Sequence, residues 1–418
     1  MYIGFEETSI TPPIGIALAG YYARKEMSKG IHDQLYARSI YIGEKDIDVI
    51  IISLDILGIT GDLRDKIVEE IEKRTGIKNI VIASTHTHSG PDLYGVYEGK
   101  FKSYIDYLIQ SITGIAYSSY INRKKFKEII YAYGEAKETV VNRRNPYNGI
   151  VDPSIHALGF KENERKNFIL NYTCHGVVMG PNNLYISADY PGAFVKYFNY
   201  LNNARSMFLN GACGNINPYT PGTILEKVYD RSVGTFKDVE SMGRILAYEI
   251  SRKLERPEIY RDMEIDFRED IVKLSIQKPP PLEYVREKYE SIKKMYEKNP
   301  SLENLFKLRG AKHLLNRTIT YKDKRYVDAR IAVLKINKDI VLVFLPSEVF
   351  VEHQINIKKS SPFSKTIVVS YANQYFGYIP TEKAYDEGGY EVEFPTTILM
   401  KGEGEKLVEN VVSLLRKL

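Results

Sequence analysis

Apolar residues in this 418-residue chain gather into short runs that each hand over to polar residues. Ile47 through Leu54 ends on Asp55, and Asn79 through Ala83 runs into Ser84-Thr85-His86-Thr87-His88. Asn167 through Tyr172 leads to Thr173-Cys174-His175-Gly176, and Ser206 through Leu209 to Asn210-Gly211-Ala212-Cys213-Gly214. Ile340 through Leu345 gives way to Pro346-Ser347-Glu348, and Thr366 through Val369 to Tyr371-Ala372-Asn373. Runs of this kind read as strands buried on both faces, as in a parallel sheet. Between them lie helical periods: Leu63, Ile67, Val68 and Ile71 fall at i, i+4, i+5 and i+8 within residues 61–75. Further helices are predicted near 101–118 and at 404–417. The predicted fold is α/β, a mixed and largely parallel sheet flanked by helices, with a crevice at the C-terminal ends of the strands. No internal repeat and no low-complexity tract stands out.

Between about 280 and 325 the period changes. Pro279-Pro280-Pro281 breaks the chain, and Val285, Tyr289, Ile292 and Tyr296 then fall at i, i+4, i+7 and i+11. Asn299-Pro300 separates this from a second helix through Leu305, Leu308 and Leu315. A helical hairpin inserted into a single domain spanning 1–418, and packed on its body, is expected in preference to an arm for a partner.

Composition narrows the classes. With 58 Lys+Arg against 53 Asp+Glu, the net charge is +5, and no basic run is dense enough to argue for nucleic acid. The N-terminal residues lack the charged and apolar regions of a signal peptide. No apolar segment approaches the ~20 residues that span a bilayer. Two cysteines cannot make a disulfide framework, so a cytoplasmic, reduced protein is expected. The 44% hydrophobic content fits a globular chain, and the 33 Tyr with no Trp only hint at a thermophile.

Chemistry concentrates in Thr85-His86-Thr87-His88. Histidines two apart on an extended segment point to the same side, so two imidazoles project from the end of a core strand. They read as part of a metal site or as a hydrogen-bonded structural pair; a closed site needs about four ligands. His175 stands at another strand end, and Glu348 either ligates or caps the helix after it. Asp55 either orients a ligand histidine or makes a strand-end hydrogen bond. Asp189 reads as a helix N-cap, and Cys174 and Cys213 as buried packing. His156, His313 and His353 have no partner pattern.

Seven pieces taken in order carry a resemblance: Gly30 through Arg38, Thr85 through Pro91, Asn142-Arg143-Arg144, His175-Gly176, Gly214 through Pro218, Pro346-Ser347-Glu348, and Asn373 through Thr381 with Tyr390-Glu391. Together they resemble the N-terminal catalytic region of neutral (alkaline, non-lysosomal) ceramidases, zinc amidases that release a fatty acid from an N-acyl sphingoid base. The resemblance implies one zinc ion per chain, with ligands at His86, His175, Glu348 and Tyr378. It places His88, Arg143 and Tyr390 against the substrate amide or the attacking water. The family's Gly-Asp-Val-Ser-Pro serine falls on Asn217, which removes a hydroxyl and leaves an amide able to hydrogen-bond. The family's C-terminal β-sandwich has no counterpart here, so the chain is expected to be a short form.

The function this implies is zinc-dependent hydrolysis of the C–N amide bond of a small-molecule or lipid N-acyl compound. The open alternatives are an esterase, deacetylase or peptidase acting on a small polar substrate, and a non-catalytic metal-containing binding protein. The oligomeric state is left open.

Overall fold

The computed structural model describes residues 1–44, 47–94, 102–162 and 165–418. Twelve strands form the four-stranded bodies of three sheets of one design, and the short edge strands Lys124–Lys125 and Glu258–Tyr260 add a fifth to the first and second. The first holds β1 (Tyr2–Ser9), β2 (Tyr36–Glu44), β3 (Ile47–Leu54) and β4 (Asn79–Ser84). The second holds β5 (Glu128–Glu135), β6 (Ser154–Glu162), β7 (Arg165–Tyr172) and β8 (Arg205–Asn210). The third holds β9 (Asp266–Ser275), β10 (Tyr326–Lys335), β11 (Ile340–Phe344) and β12 (Lys365–Val369). In each, three successive strands pair antiparallel, and a helix then crosses over to a fourth strand that pairs parallel with the third. The crossover helices are α1 (Gly61–Thr75), α3 (Asp189–Asn202) and α7 (Val351–Ser360). A further helix follows each fourth strand: α2 (Lys102–Ile121), α4 (Phe236–Lys253) and α8 (Glu403–Leu415). The chain thus repeats one topology three times, although no repeat is legible in the residues.

The mixed α/β class is as expected, but "largely parallel" is corrected. Only the crossover pairs β3–β4, β7–β8 and β11–β12 are parallel within these sheets. The apolar runs report burial on two faces, which this architecture supplies by other means. Val49, Ile51, Val81 and Ala83 face a core shared with Ile169, Met207, Leu342 and Ile367 of the other sheets. Their alternates Ile50, Ile52, Ile80 and Ile82 pack outward with residues of α1 and α2. Three sheets therefore enclose a common core and carry helices on their outer faces.

The predicted helical hairpin is present as α5 (Leu282–Lys298) and α6 (Leu302–Tyr321). Helix α2 is described from Lys102, and the predicted start at 101 lies outside the described residues. No described helix is long and apolar enough to cross a membrane.

Candidate metal centre and active site

Each repeat sends a loop from its parallel pair to one place. In the first, Thr85 N–H donates to Leu54 O (2.9 Å) and His86 N–H to Ile56 O (3.0 Å), locking the loop after β4 beside the end of β3. His86 has φ 64, a left-handed conformation that costs a non-glycine residue roughly 1–2 kcal/mol. Stacking on Tyr371 at 4.1 Å helps to hold it there. The two histidines do converge, Nε2 to Nε2 at 3.2 Å, but through a turn and not through strand alternation, because β4 ends at Ser84.

In the second repeat, His175 follows β7, and its main-chain N–H donates to Ile216 O at 3.1 Å. A bridge between Thr87 and Gly176 joins the two histidine loops. The Asn210 amide at the end of β8 donates to Thr85 O (3.1 Å) and Cys174 O (2.9 Å). In the third repeat, Glu348 follows β11 and pairs in register with Tyr378. Its Oε2 lies 3.0 Å from His175 Nε2 and 3.5 Å from His86 Nε2, and Tyr375 O–H donates to its Oε1. His86, His175 and Glu348 are 0%, 1% and 2% exposed.

The donor set fits a cation. His86 Nδ1 donates to Leu57 O at 2.6 Å and His175 Nδ1 to Ile216 O at 3.1 Å, so both Nε2 atoms turn lone pairs toward the carboxylate. Lone pairs facing a carboxylate oxygen at such distances repel unless a proton or a metal ion stands between them. Burial, with Arg143 beside it, lowers His175 to about 4, which leaves its imidazole neutral at pH 7. Burial alone would raise the Glu348 carboxyl; positive charge and N–H donation from the His86 and His175 side outweigh it and hold Glu348 well below the usual carboxylate range, a part that a bound cation would take over. His86, His88 and His175 form a group whose ring nitrogens lie within 4.8 Å of one another, as metal ligands would.

The other expected site residues gather around this cluster. His88 is pushed well below its usual value by burial and by the two neighbouring imidazoles, and its Nδ1 has no hydrogen-bond partner. Arg143 is buried, with Nη1 3.4 Å from His175 Nε2 and 3.4 Å from Asn217 Oδ1. Its Nε and Nη2 are engaged by Glu391 Oε1 (3.1 Å) and Gly214 O (2.6 Å). Asn217 also donates from Nδ2 to Val228 O at 3.2 Å. Tyr378 O–H meets Tyr390 O–H at 3.4 Å, and the recorded hydroxyl contact to Glu348 comes from Tyr375. Burial keeps the Tyr378 phenol protonated. Tyr390 stands 43% exposed at the mouth.

Several expectations are settled by contacts. Asp55 faces Arg38 Nη1 (3.0 Å) and Tyr36 N–H (2.9 Å), so it makes the strand-end hydrogen bond and orients no histidine. Main-chain carbonyls perform that orienting role. Asp189 is the first residue of α3 and not its N-cap, which is Ala188; its carboxylate instead accepts from the N–H groups of Val178 (3.1 Å), Met179 (3.0 Å) and Tyr190 (2.8 Å), pinning the loop after His175. Cys174 and Cys213 are free and buried.

The cluster forms part of the wall of a cavity of about 1140 Å³. Tyr21, Tyr22, Tyr94, Tyr375, Tyr378 and Tyr390 supply much of its surface, and α6 closes the far side with Phe306, His313 and Arg317. Sequence reasoning missed this use of the hairpin. It also missed Gly20 (φ 93), where a Cβ would strike the His88 ring at 2.2 Å, and Arg24, which donates to His88 O at 3.0 Å. No residue-type pattern announces either; both lie far from the histidines in the chain.

A family model described as "Neutral/alkaline non-lysosomal ceramidase, N-terminal" matches residues 1–213. The chain belongs to that family. Neutral ceramidase 2 of Arabidopsis thaliana is 24% identical over 229 residues, 47% of this chain and 29% of that protein. Neutral ceramidase of Pseudomonas aeruginosa is 23% identical over 289 residues, 60% of this chain and 42% of that protein. The chain spans less than half the length of these curated relatives. The crystal structure of the Pseudomonas aeruginosa neutral ceramidase superposes with a TM-score of 0.75 at 18% identity, over 100% of this chain and 75% of that one. It shares this fold.

Proposed function

We propose that this member of the ceramidase family is a metal-dependent amidohydrolase that cleaves the C–N bond of an N-acyl compound. One observation carries the reading: two buried imidazoles, each fixed through Nδ1 by a carbonyl, turn Nε2 toward a buried carboxylate at a cavity wall. His86, His175 and Glu348 would hold the ion, with Tyr378 as fourth ligand by family resemblance; His88 is close enough to take that place. Zinc bound there would polarise an acyl carbonyl and lower the pKa of a water toward ~7.

The chain's own residues then divide the work. His88 is uncharged and turns its Nε2 toward the cluster, 3.2 Å from His86 Nε2, so that nitrogen can take a proton from the attacking water and return it to the leaving nitrogen. Arg143 is held rigid by Glu391 and Gly214, and its guanidinium faces the cluster as a donor for the oxyanion. Asn217 fixes Arg143 through Oδ1, so the amide that replaces the family serine supports a donor. Tyr390 at the mouth would meet the part of the substrate that projects from the site. Glu348 serves as a ligand in preference to a helix cap, since its oxygens face histidines and Tyr375.

The test is hydrolysis of N-acyl amides by the zinc-loaded chain before and after chelation. Activity that falls on chelation and returns with zinc supports the reading; full turnover after metal stripping refutes it. A smaller polar substrate remains the second reading, favoured by the many tyrosine hydroxyls and the Arg317 guanidinium of α6 in the cavity wall. A cytoplasmic location belongs to this proposal.

A further inference from the structure

Arg231 sits in the loop between Pro218 and α4, 3% exposed, and contributes to the cavity wall along with Tyr21, His175 and Asn217. Its Nε donates to Val177 O at 3.1 Å and Nη1 to Thr223 Oγ1 at 3.4 Å. Its Nη2 has no hydrogen-bond partner. Among the described residues, no carboxylate lies within salt-bridge distance of this guanidinium, whereas the buried Arg38, Arg64 and Arg143 each face one. A loop-stapling role accounts for Nε and Nη1. It leaves the charge and the enclosed, unpartnered Nη2 unexplained, and a buried cation without a paired carboxylate is costly. An anion arriving from the cavity would satisfy both, and a guanidinium suits a planar carboxylate.

Position limits which anion this can be. Val177, to which Arg231 is tied, lies two residues beyond His175. The guanidinium is anchored through Nε to the loop that carries a proposed metal ligand and through Nη1 to Thr223 of the loop before α4, and not to α6. An anion taken here is attached close to the reacting amide, not at the end of a long chain.

We infer that Arg231 receives a carboxylate next to the scissile amide, so the substrates are N-acyl amino acids in place of an uncharged N-acyl sphingoid base. The inference rests on the amidohydrolase reading above. In the reaction, the amide C–N bond breaks and a C–O bond forms from water. The proton released goes to the leaving nitrogen, and the products are a fatty or short-chain carboxylate and a free amino acid.

The zinc-loaded chain is tested on N-octanoylglycine and on its methylamide, which lacks the charge. A preference of about tenfold or more in kcat/KM for the acid is expected, since hydrogen bonds to charged groups carry about that much discrimination. Arg231→Gln should collapse the ratio toward unity by raising KM for the acid. Equal use of both substrates by the wild type, or a preference that survives Arg231→Gln, overturns the inference. Should Arg231→Gln not fold, Arg231→Lys keeps the charge and loses the fork; a lowered ratio supports the inference and an unchanged one overturns it. If neither amide is cleaved, the hydrolase reading fails. Calorimetric titration of the intact N-octanoylglycine then decides the carboxylate site alone: binding lost in Arg231→Gln supports it, and no binding or unaltered binding overturns it.

Discussion

The floor of the cavity and its far wall are made in opposite ways. The floor is three loops at the ends of parallel strand pairs, with His86, His175 and Glu348 buried and both ligand-type imidazoles tied to main-chain carbonyls. The far wall is α6, backed by α5, in which Val285 alone is buried. The floor cannot move without unpairing sheets, whereas the wall can change residue by residue with little effect on them. Reaction class should therefore reside in the floor and substrate choice in the wall and side loops.

Substitutions that separate the two should rank accordingly. Glu348→Gln removes the charge between two imidazoles; metal content, measured by mass spectrometry, should fall from about one equivalent to near zero, and turnover by roughly 10³-fold or more. Arg143→Met should lower kcat by about 10²–10³-fold. It also strips one partner from buried Glu391, although Arg144 Nη1 stays at 3.0 Å, so up to about 3–5 kcal/mol should be lost in urea unfolding.

Acid should act on the floor next. His175 is lowered from 6.5 to about 4, so the unfolded chain binds more protons between those values. Stability of the chelated protein is then fully present above pH 6.5 and is lost as pH falls toward 4, by on the order of 3 kcal/mol from this group. Thermal unfolding across that range reads it, and metal release should follow the same direction.

Gly176→Ala would place a Cβ 2.7 Å from His86 O, prying apart the bridge between the histidine loops. A loss of about 1–3 kcal/mol is expected in melting curves. The smallest effect should come from the wall: His313→Gln, beside Arg317 Nε at 3.2 Å, should move KM by roughly 2- to 10-fold and kcat less. A His313 variant that destabilised the chain more than Gly176→Ala would erase the distinction between floor and wall.

Much of this was legible in the residues. The strands ending at Ser84, Tyr172 and Phe344, and helices α1, α5 and α6, follow from apolar runs and helical spacing, because local burial writes a local pattern. Strand direction was misjudged because β2, interrupted by Arg38, Ser39 and Gly43, makes no continuous apolar run and was not read as a strand, although it runs antiparallel beside β3. The threefold repeat left no trace, because a topology needs only apolar strands and crossovers, not matching residues. His86, His175 and Glu348 were identified as a group by resemblance, and their convergence depends on pairing between distant loops. Tyr375 was missed as the Glu348 partner, and so was Arg231, because a long-range contact has no signature in spacing.

X-ray absorption at the zinc edge of the reconstituted chain tests the centre most directly. Light N/O scatterers at about 2.0–2.1 Å, with an imidazole signature that weakens in His175→Ala, are expected. A sulfur shell at about 2.3 Å, which would bring in Cys174 or Cys213, or a fully hydrated ion, would contradict a centre built on His86, His175 and Glu348.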